Sequence, residues 1–393
     1  MKVAIIGAGA SGLMASIEAS KKHDVVVYER NNQALKKLLL TGSGRCNLYN
    51  INNSYDKYHS SNKEIIKDII SKDELDNYLN IFQSMGLVVT NKNGYYYPIS
   101  QNSQNVRAVL LNEAIKNNVK FKYDTLIEKI EYKNNKFFLA GETFDKVIVT
   151  TGSKVFPKTG SNGIGYKIAK DFNHTITELY PSLVSLITNT GYENKWAGKR
   201  VHGTVSLYIK DKIVKSETGE IQFNKTGISG ICVLNLSREV LINLNKNNKV
   251  YVSINFLDWD QSKIVTYFDK FKDKTISKIF DGFIDYEIAN ILFSKYKINK
   301  DKTWDKFSIR EKGIVIEALL NFKVEIIGTK DFNEAQVCRG GIKLTEINPH
   351  TLESKLVKGL YFAGEILDVD GDCGGYNLTF AFLSGKKAGE LND

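Results

Sequence analysis

With 393 residues, 42% of them hydrophobic and 25% charged, the chain is too long for one average domain and long enough to bury a large core, so two or three domains are expected without disulfide staples. No apolar run is long enough to cross a bilayer, and the glycine-broken opening VAIIGAGASGLMA fits a buried strand and turn rather than an export signal, so the expected location is the cytoplasm, with no membrane partner. A formal charge of +10 invites a nucleic-acid reading, but the lysines are spread along the chain among Asn and Ile and form no basic arm; no stable nucleic-acid partner is expected, only a general attraction for anionic substrates.

The opening KVAIIGAGASGLMASIEASKKHDVVVYER reads as an apolar strand, a glycine turn, a helix of small residues and a second β-branched strand, a βαβ unit. Gly7-x-Gly9-x-x-Gly12 sits at the strand-to-helix junction: Gly7 for the tight turn, Gly9 for backbone approach to a pyrophosphate, Gly12 for close helix packing. Glu29 ends the second strand, where a carboxylate accepts from a ribose diol; an acid here suits the adenosine of FAD or NAD and argues against a 2′-phosphate. In KLLLTGSGRCN, residues 37–47, Thr41, Gly42 and Gly44 can turn backbone N–H groups inward and Arg45 adds a fixed charge. Cys46, with no resolving partner nearby, is read as a small buried side chain before a nucleophile.

A helix is expected around Lys63 to Met85, then a hairpin near NKNGYYYPIS and a helix over 104–117 with Val106, Leu110, Leu111 and Ala114 on one face. Short strands follow and close on the buried strand KVIVTTGS, which ends at Gly152. Gly160, Gly163 and Gly165 then precede a helix, and both a second phosphate loop and a plain loop-helix connection stay open. After Pro181 the texture changes to short alternating strands with Gly and Asn turns to about Asn255, a small β domain, and then to a mainly helical stretch over 259–320.

The end of the chain, GLYFAGEILDVDGDCGGYNLTFAFLSGKKAG, runs from a strand through a glycine-rich loop into a last helix. Asp368, Asp370 and Asp372 alternate as in a calcium loop, but Cys373 and Thr379 stand where an EF-hand needs glycine and a bidentate Glu. The other cysteines, Cys232 and Cys338, are also single, with no C-x-x-C pair, so no metal is expected. Gly374 and Gly375 instead let the last helix aim its N-terminus at a ligand, where it would stabilise negative charge on a reduced flavin.

Together GAGASGLMA, KLLLTGSGRCN, GEIQFNKTGISG and the DVDG-x-x-GGYN segment resemble the BaiN/YhiN-like flavoproteins, also known as the HI0933-like family, which include bacterial aminoacetone oxidases. The resemblance runs over nearly the whole chain. It implies an α/β fold: a Rossmann-like, two-dinucleotide (glutathione-reductase-like) FAD domain over 1–181 and 336–393. Inserted in it would be a β-barrel-like domain over 182–255 and 321–335, itself carrying a helical subdomain over 256–320.

Carried over by position, Gly7, Gly9, Ala10, Ser11 and Gly12 should meet the FAD pyrophosphate, and Glu29 with Arg30 the adenosine ribose. Lys37 and Thr41 to Asn47, with Gly42, Gly44, Arg45 and Cys46, should line the flavin side. Gly152, Gly364, Glu365 and Asp370 should approach the cofactor, and Gly375, Tyr376, Asn377 and Leu378 the isoalloxazine. The family commonly shows GGGRCN where this chain has Ser43, which should leave FAD binding intact. It often shows Gln and Trp where Thr379 and Phe380 stand, beside the flavin, which bears on substrate preference.

The expected function is an FAD-dependent oxidoreductase with hydride transfer at flavin N5, acting on a small molecule, an amine as in aminoacetone oxidase. The alternatives are an NAD(P)H-dependent reductase of a conjugated C=C bond, as in bile-acid reductases, with NAD(P)H as a transient donor, and an FAD protein that binds RNA or senses. Tyr192, Trp196, His202 and the NKTGISG loop are substrate candidates by location alone, and no catalytic acid or base is assigned.

Overall fold

The computed structural model describes residues 1–391 and divides into two compact units, one of Met1–Pro181 with the chain from Phe332 onward, the other of Ser182–Asp331. The chain re-enters the first unit at Phe332 rather than at Gln336, because the Phe332 carbonyl accepts the Phe156 N–H (2.8 Å) and Lys154 lies 4.0 Å from the centre of the Phe332 ring.

The first unit is built on five parallel strands in the order Leu360–Phe362, Lys146–Val149, Lys2–Ile6, Asp24–Tyr28, Lys120–Lys122. Runs such as VAII and VVVY are buried throughout, the pattern of strands covered on both faces. An antiparallel meander, Glu131–Lys133, Lys136–Leu139 and Glu142–Phe144, leads into the Lys146–Val149 strand. The first helix, Ala10–Ala19, and the last, Tyr376–Glu390, pack together through small residues: a Cβ at Gly385 would lie 2.2 Å from the Ser11 carbonyl, and one at Gly389 2.5 Å from that of Ala15. The two ends of the chain are thereby joined at the glycine turn.

The helix expected over Lys63 to Met85 is broken instead into Ile66–Ile69, Lys72–Asp76 and Tyr78–Ser84. Ile70 is extended, and Ser71 opens a new helix through a capping box with Glu74, which outweighs the continuous helical periodicity. The helix expected at 104–117 forms as Ser103–Lys116 under an Asn102 cap.

The second unit is a closed antiparallel barrel in the order Leu186–Thr188, Gly227–Ser229, Lys212–Asn224, Arg200–Ile209, Val250–Asn255, Phe322–Thr329. Four helices, Gln261–Asp269, Ile276–Phe280, Tyr286–Tyr296 and Ile309–Leu320, are inserted between its neighbouring strands Val250–Asn255 and Phe322–Thr329. Barrel and helices share one apolar core that runs from Val252 and Phe322 to Phe268, Phe280 and Trp304. No helix among the described residues is long and apolar enough to cross a membrane.

Candidate functional site: a dinucleotide cradle

The three glycines of the opening motif have three different surroundings. Gly7 is left-handed (φ +100°), and a Cβ there would strike the Thr150 carbonyl at 2.7 Å. At Gly12 a Cβ would lie 1.9 Å from the Gly7 carbonyl. Gly9, the N-cap of the first helix, faces open space: nothing lies within 4 Å of where its Cβ would be. Its neighbours Ala10, Ser11 and Gly12 open the helix, so their N–H groups have no partner within it.

Glu29 is buried beside this turn. Its Oε2 accepts the Ala8 N–H (2.9 Å), and its Oε1 accepts the Asn31 N–H and Nδ2 (2.8 and 2.7 Å), which leaves a fourth lone pair for a diol. Arg30 Nη1 donates to the Gly160 carbonyl (3.1 Å) and Asn31 Nδ2 to that of Thr159 (3.0 Å), so the Gly160 loop is tied to the Glu29 corner. A Cβ at Gly165 would meet Thr151 Oγ1 at 2.0 Å and Ile366 at 2.5 Å. These glycines serve packing and connection, which favours the loop-helix alternative.

In the TGSGRCN turn the backbone is left-handed at Gly42, Ser43, Gly44 and Cys46. Thr41 caps locally, its Oγ1 donating to the Leu38 carbonyl (2.7 Å). Arg45 points outward: its Nε donates to the Gly42 carbonyl and its guanidinium lies 5.2 Å from the Tyr97 ring centre. Asn47 Oδ1 is buried with no hydrogen-bond partner. Burial pushes the Cys46 and Cys338 thiols up to about 12 and those of Cys232 and Cys373 to about 11, so all four are protonated near neutrality and none is poised as a thiolate.

Lys37 and Glu365 meet in an ion pair at 2.6 Å, and Glu365 Oε1 also accepts the Cys338 N–H (3.1 Å). Gly364, left-handed at φ +81°, touches Ser11: a Cβ there would lie 2.4 Å from its Oγ, and the Gly364 N–H donates to Ser384 Oγ (3.0 Å). Gly152 is also left-handed (φ +68°) and has Ser161 Oγ 3.2 Å from its Cβ position.

The loop before the last helix is braced by its own side chains. Asn377 Oδ1 accepts the Gly371 N–H (2.8 Å) and its Nδ2 donates to the Gly371 carbonyl (2.9 Å), so Asn377 contributes its backbone rather than its amide to the helix mouth. Gly375 caps the helix at φ +103°, pressed on the Tyr49 backbone, while Tyr376 packs edge-on to Tyr58 and Leu378 is half-buried. The three aspartates diverge: Asp368 accepts from Ser61 N–H (3.0 Å) and its hydroxyl, Asp370 lies in a short strand paired with His59, and Asp372 Oδ1 meets His59 Nε2 (3.0 Å). Thr379 and Phe380 are both buried. Thr379 is fully buried, its Oγ1 bonded to the Gly375 carbonyl (3.1 Å), and Phe380 packs on Tyr58, so the departure from the family pattern here is absorbed by the core.

Residues 1–391 match the family model described as the HI0933-like protein Rossmann domain. The chain belongs to the HI0933-like family. It is 32% identical over 400 residues to the 3-dehydro-bile acid delta(4,6)-reductase of Clostridium scindens, covering 99% of this chain and 98% of that protein. It is 25% identical to the ribosomal RNA dihydrouridine synthase of Escherichia coli K12, covering 97% and 95%. Among solved structures, the 3-ketosteroid-delta4-(5alpha)-dehydrogenase of Rhodococcus jostii RHA1 is similar at a TM-score of 0.49 and 11% identity, covering 99% and 95%. The HI0933-like chain is thus an FAD-dependent oxidoreductase.

The residues present fit FAD. The open space at Gly9, the unpaired N–H groups above it and the orphaned Asn47 Oδ1 are features that a bound dinucleotide would complete. Gly9 to Gly12 would hold the pyrophosphate, Glu29 the adenosine ribose, Lys37 and Glu365 the ribityl chain, and the N–H groups of Tyr376 to Leu378 the flavin edge.

Several residues of this HI0933-like site escaped the sequence reading. Thr150 Oγ1 donates to the Ile6 and Gly7 carbonyls (both 2.9 Å), Ser384 holds Gly364, and His59 is tied to Asp372. Thr150 and Ser384 lie in stretches the sequence singled out, but these contacts join segments far apart in the chain. Only the spacing of Gly385 and Gly389 on one helix face could have flagged the contact with the first helix. In the second unit, Trp196 is core, packed on Phe223 with its Nε1 donating to the Asn224 carbonyl (3.1 Å). His202 is exposed opposite Glu220, Tyr192 packs at the margin of the core, and NKTGISG forms the turn between two barrel strands.

Proposed function

We propose that this protein is a reductase that saturates a carbon–carbon double bond conjugated to a carbonyl, with a nicotinamide nucleotide as transient donor and the cytoplasm as its place of work. The observation that carries this reading is the 32% identity, over 99% of the chain, to a protein named as a bile-acid delta(4,6)-reductase. A 3-oxo steroid with double bonds at positions 4 and 6 is a conjugated dienone. The uracil bond that is saturated in dihydrouridine is likewise conjugated to a carbonyl, so both relatives' names describe one reaction type. The amine-oxidase chemistry that the resemblance also implied has no support from these relatives.

Bound FAD supplies hydride transfer. The chain's own contribution is to fix that group: the first-helix N–H groups neutralise phosphate charge, Glu29 orients the ribose, and the N-terminus of the last helix favours negative charge at the flavin edge. Burial raises the pKa of all four thiols, which disfavours a thiolate nucleophile in the reaction.

A second reading places the double bond in a uracil of RNA, favoured by 25% identity to the rRNA dihydrouridine synthase across 97% of the chain and by the net charge of +10. One experiment separates these readings. The holoprotein is mixed without oxygen with NADH or NADPH while flavin absorbance is followed, then with a 4-ene-3-ketosteroid or with transcribed ribosomal RNA. Bleaching by nicotinamide and recovery with either alkene supports reduction and tells which substrate class applies. Bleaching by aminoacetone alone, with peroxide released in air, overturns it.

A further inference from the structure

We propose that Arg45, held over the Tyr97 ring, receives the substrate's carbonyl oxygen and stabilises the negative charge that this oxygen gains during reduction; this rests on the reductase reading above. The strand Tyr95–Pro98 lies between Tyr49–Asn50 and Val89–Lys92, and its three half-buried tyrosines alternate in direction. Tyr96 turns one way, its ring centre 5.8 Å from that of Tyr49. Tyr95 and Tyr97 share the other face, about 7 Å apart along the strand.

This face runs between the two glycine loops of the candidate site. Cε1 of Tyr95 lies 3.1 Å from where a Cβ of Gly374 would be, and Asn50 Nδ2 ties the neighbouring strand to the Gly374 carbonyl (3.2 Å). Cε1 of Tyr97 lies 3.5 Å from the Cβ position of Gly42, which is also 3.6 Å from Asn47 Cβ. One end therefore borders the mouth of the last helix, and the other borders the turn whose Asn47 Oδ1 has no partner. Arg45 stands at this second end. Its guanidinium carbon is 5.2 Å from the Tyr97 ring centre and its Nε donates to the Gly42 carbonyl (3.1 Å), which leaves both Nη groups without a partner among the described residues. Of the two cations in residues 37–47, Lys37 is paired with Glu365 at 2.6 Å, whereas the exposed Arg45 has no acid beside it among the described residues.

A guanidinium fixed at Nε and over a ring, yet open at Nη, suits an oxygen that becomes anionic. Hydride from the reduced cofactor, on reaching the β carbon of an unsaturated carbonyl compound, displaces the double-bond electron pair toward the carbonyl and leaves the charge on its oxygen. Arg45 donates from Nη to that enolate, and the α carbon then takes a proton from solvent, which completes the reduction. A donor aimed at charge that appears only during the reaction raises the rate more than it raises substrate binding. A 3-oxo steroid and a uracil ring both carry such an oxygen, so the role holds for either substrate class. Tyr97 is a positioning residue that acts through the guanidinium.

The holoprotein is reduced without oxygen by an equivalent of dithionite, and its reoxidation by a 4-ene-3-ketosteroid or by transcribed ribosomal RNA is followed at the flavin absorbance. Arg45→Gln should slow reoxidation about 100-fold at unchanged FAD content, and Arg45→Lys should recover part of the loss. Tyr97→Ala should cost about 2- to 5-fold, and Tyr97→Phe, which keeps the ring face, should restore the rate. A second readout needs no turnover: 4-chlorophenol, whose anion mimics the enolate, is titrated on the oxidised holoprotein. The charge-transfer band of its anion with the flavin should appear at a pH about 1–3 units lower in wild type than in Arg45→Gln. Equal reoxidation rates in the two proteins, or a band that is absent from wild type or has the same midpoint in both, overturn the role of Arg45 and leave the reductase reading standing. Loss of FAD by Arg45→Gln, or a slowing confined to reduction by NADPH, overturns it as well, since Arg45 would then hold the cofactor or the donor. If neither alkene reoxidises wild type, the reductase reading itself fails and the role of Arg45 falls with it.

Discussion

Lys37 and Glu365, 328 residues apart, meet at 2.6 Å and join the loop after the second strand to the end of the last one. Glu365 also accepts the Cys338 N–H, so its two oxygens are both held. Because the pair is partly exposed, it adds little to folding by itself. With FAD bound as proposed, it would hold a charged acceptor in place for the ribityl hydroxyls. Glu365→Gln should therefore weaken FAD binding by about 1.5 kcal/mol, roughly tenfold, and leave the melting temperature of the apoprotein nearly unchanged. Flavin fluorescence released on dilution reads the first, and calorimetry of the apoprotein the second.

Two glycines of one motif should fail in different ways. Gly9 has ordinary extended backbone (φ −77°, ψ −170°) and empty space at its Cβ, so Gly9→Val should yield folded, colourless apoprotein. Gly12→Val must push a Cβ against the Gly7 carbonyl and should destabilise the chain itself by about 1–3 kcal/mol. Urea unfolding of the two variants alongside their flavin content checks this. Full FAD retention by Gly9→Val would show that the cofactor is not held there.

These contrasts explain what was legible in the sequence. The turn at Gly7, the contact of Gly12 with the Gly7 carbonyl and the bond from Ala8 N–H to Glu29 lie within one βαβ unit, where periodicity and turn chemistry can imply them, whereas the crowding of Gly7 by the Thr150 carbonyl comes from a remote strand. The barrel and its helical insertion were visible as changes of texture, because alternation and helical spacing are local patterns too. The Lys37–Glu365 pair, the His59–Asp372 contact and the Gly385 seat on Ser11 depend on how remote segments meet, which no local pattern encodes. For the same reason the burial of Thr379, which bonds back to the Gly375 carbonyl, could not be read from its place at the start of the last helix. The break at Ile70 was missed because a capping box at Ser71 competes with helical periodicity within a single turn.

Ser43 sits in the left-handed region (φ 57°, ψ 44°) on an exposed turn where no packing requires its side chain. A Cβ in this conformation costs about 1–2 kcal/mol, partly offset by the greater freedom glycine has when unfolded. Ser43→Gly should accordingly raise stability by about 1 kcal/mol without altering flavin content. Chemical denaturation of the two holoproteins measures it, and a loss of stability would mean that the hydroxyl has a role of its own.

His174 gives the pH prediction. Its ring is buried, with Nδ1 3.2 Å from Glu346 and Nε2 2.8 Å from Ser354 Oγ, which itself accepts the Leu356 and Val357 N–H groups. This network suits a neutral ring that donates from Nδ1 and accepts at Nε2; a second proton would set two donors against each other. Burial lowers the pKa from its ordinary 6.5, with Glu346 opposing but not reversing the shift. The unfolded chain therefore binds the proton more readily than the folded one. Stability contributed by the neutral ring is present above about pH 6.5 and is lost as pH falls through the lower folded value. Between pH 7 and 5 the wild type should lose more stability than His174→Gln, which has no proton to gain. Melting curves at matched ionic strength test the sign: parallel declines in the two proteins would place the acid sensitivity elsewhere.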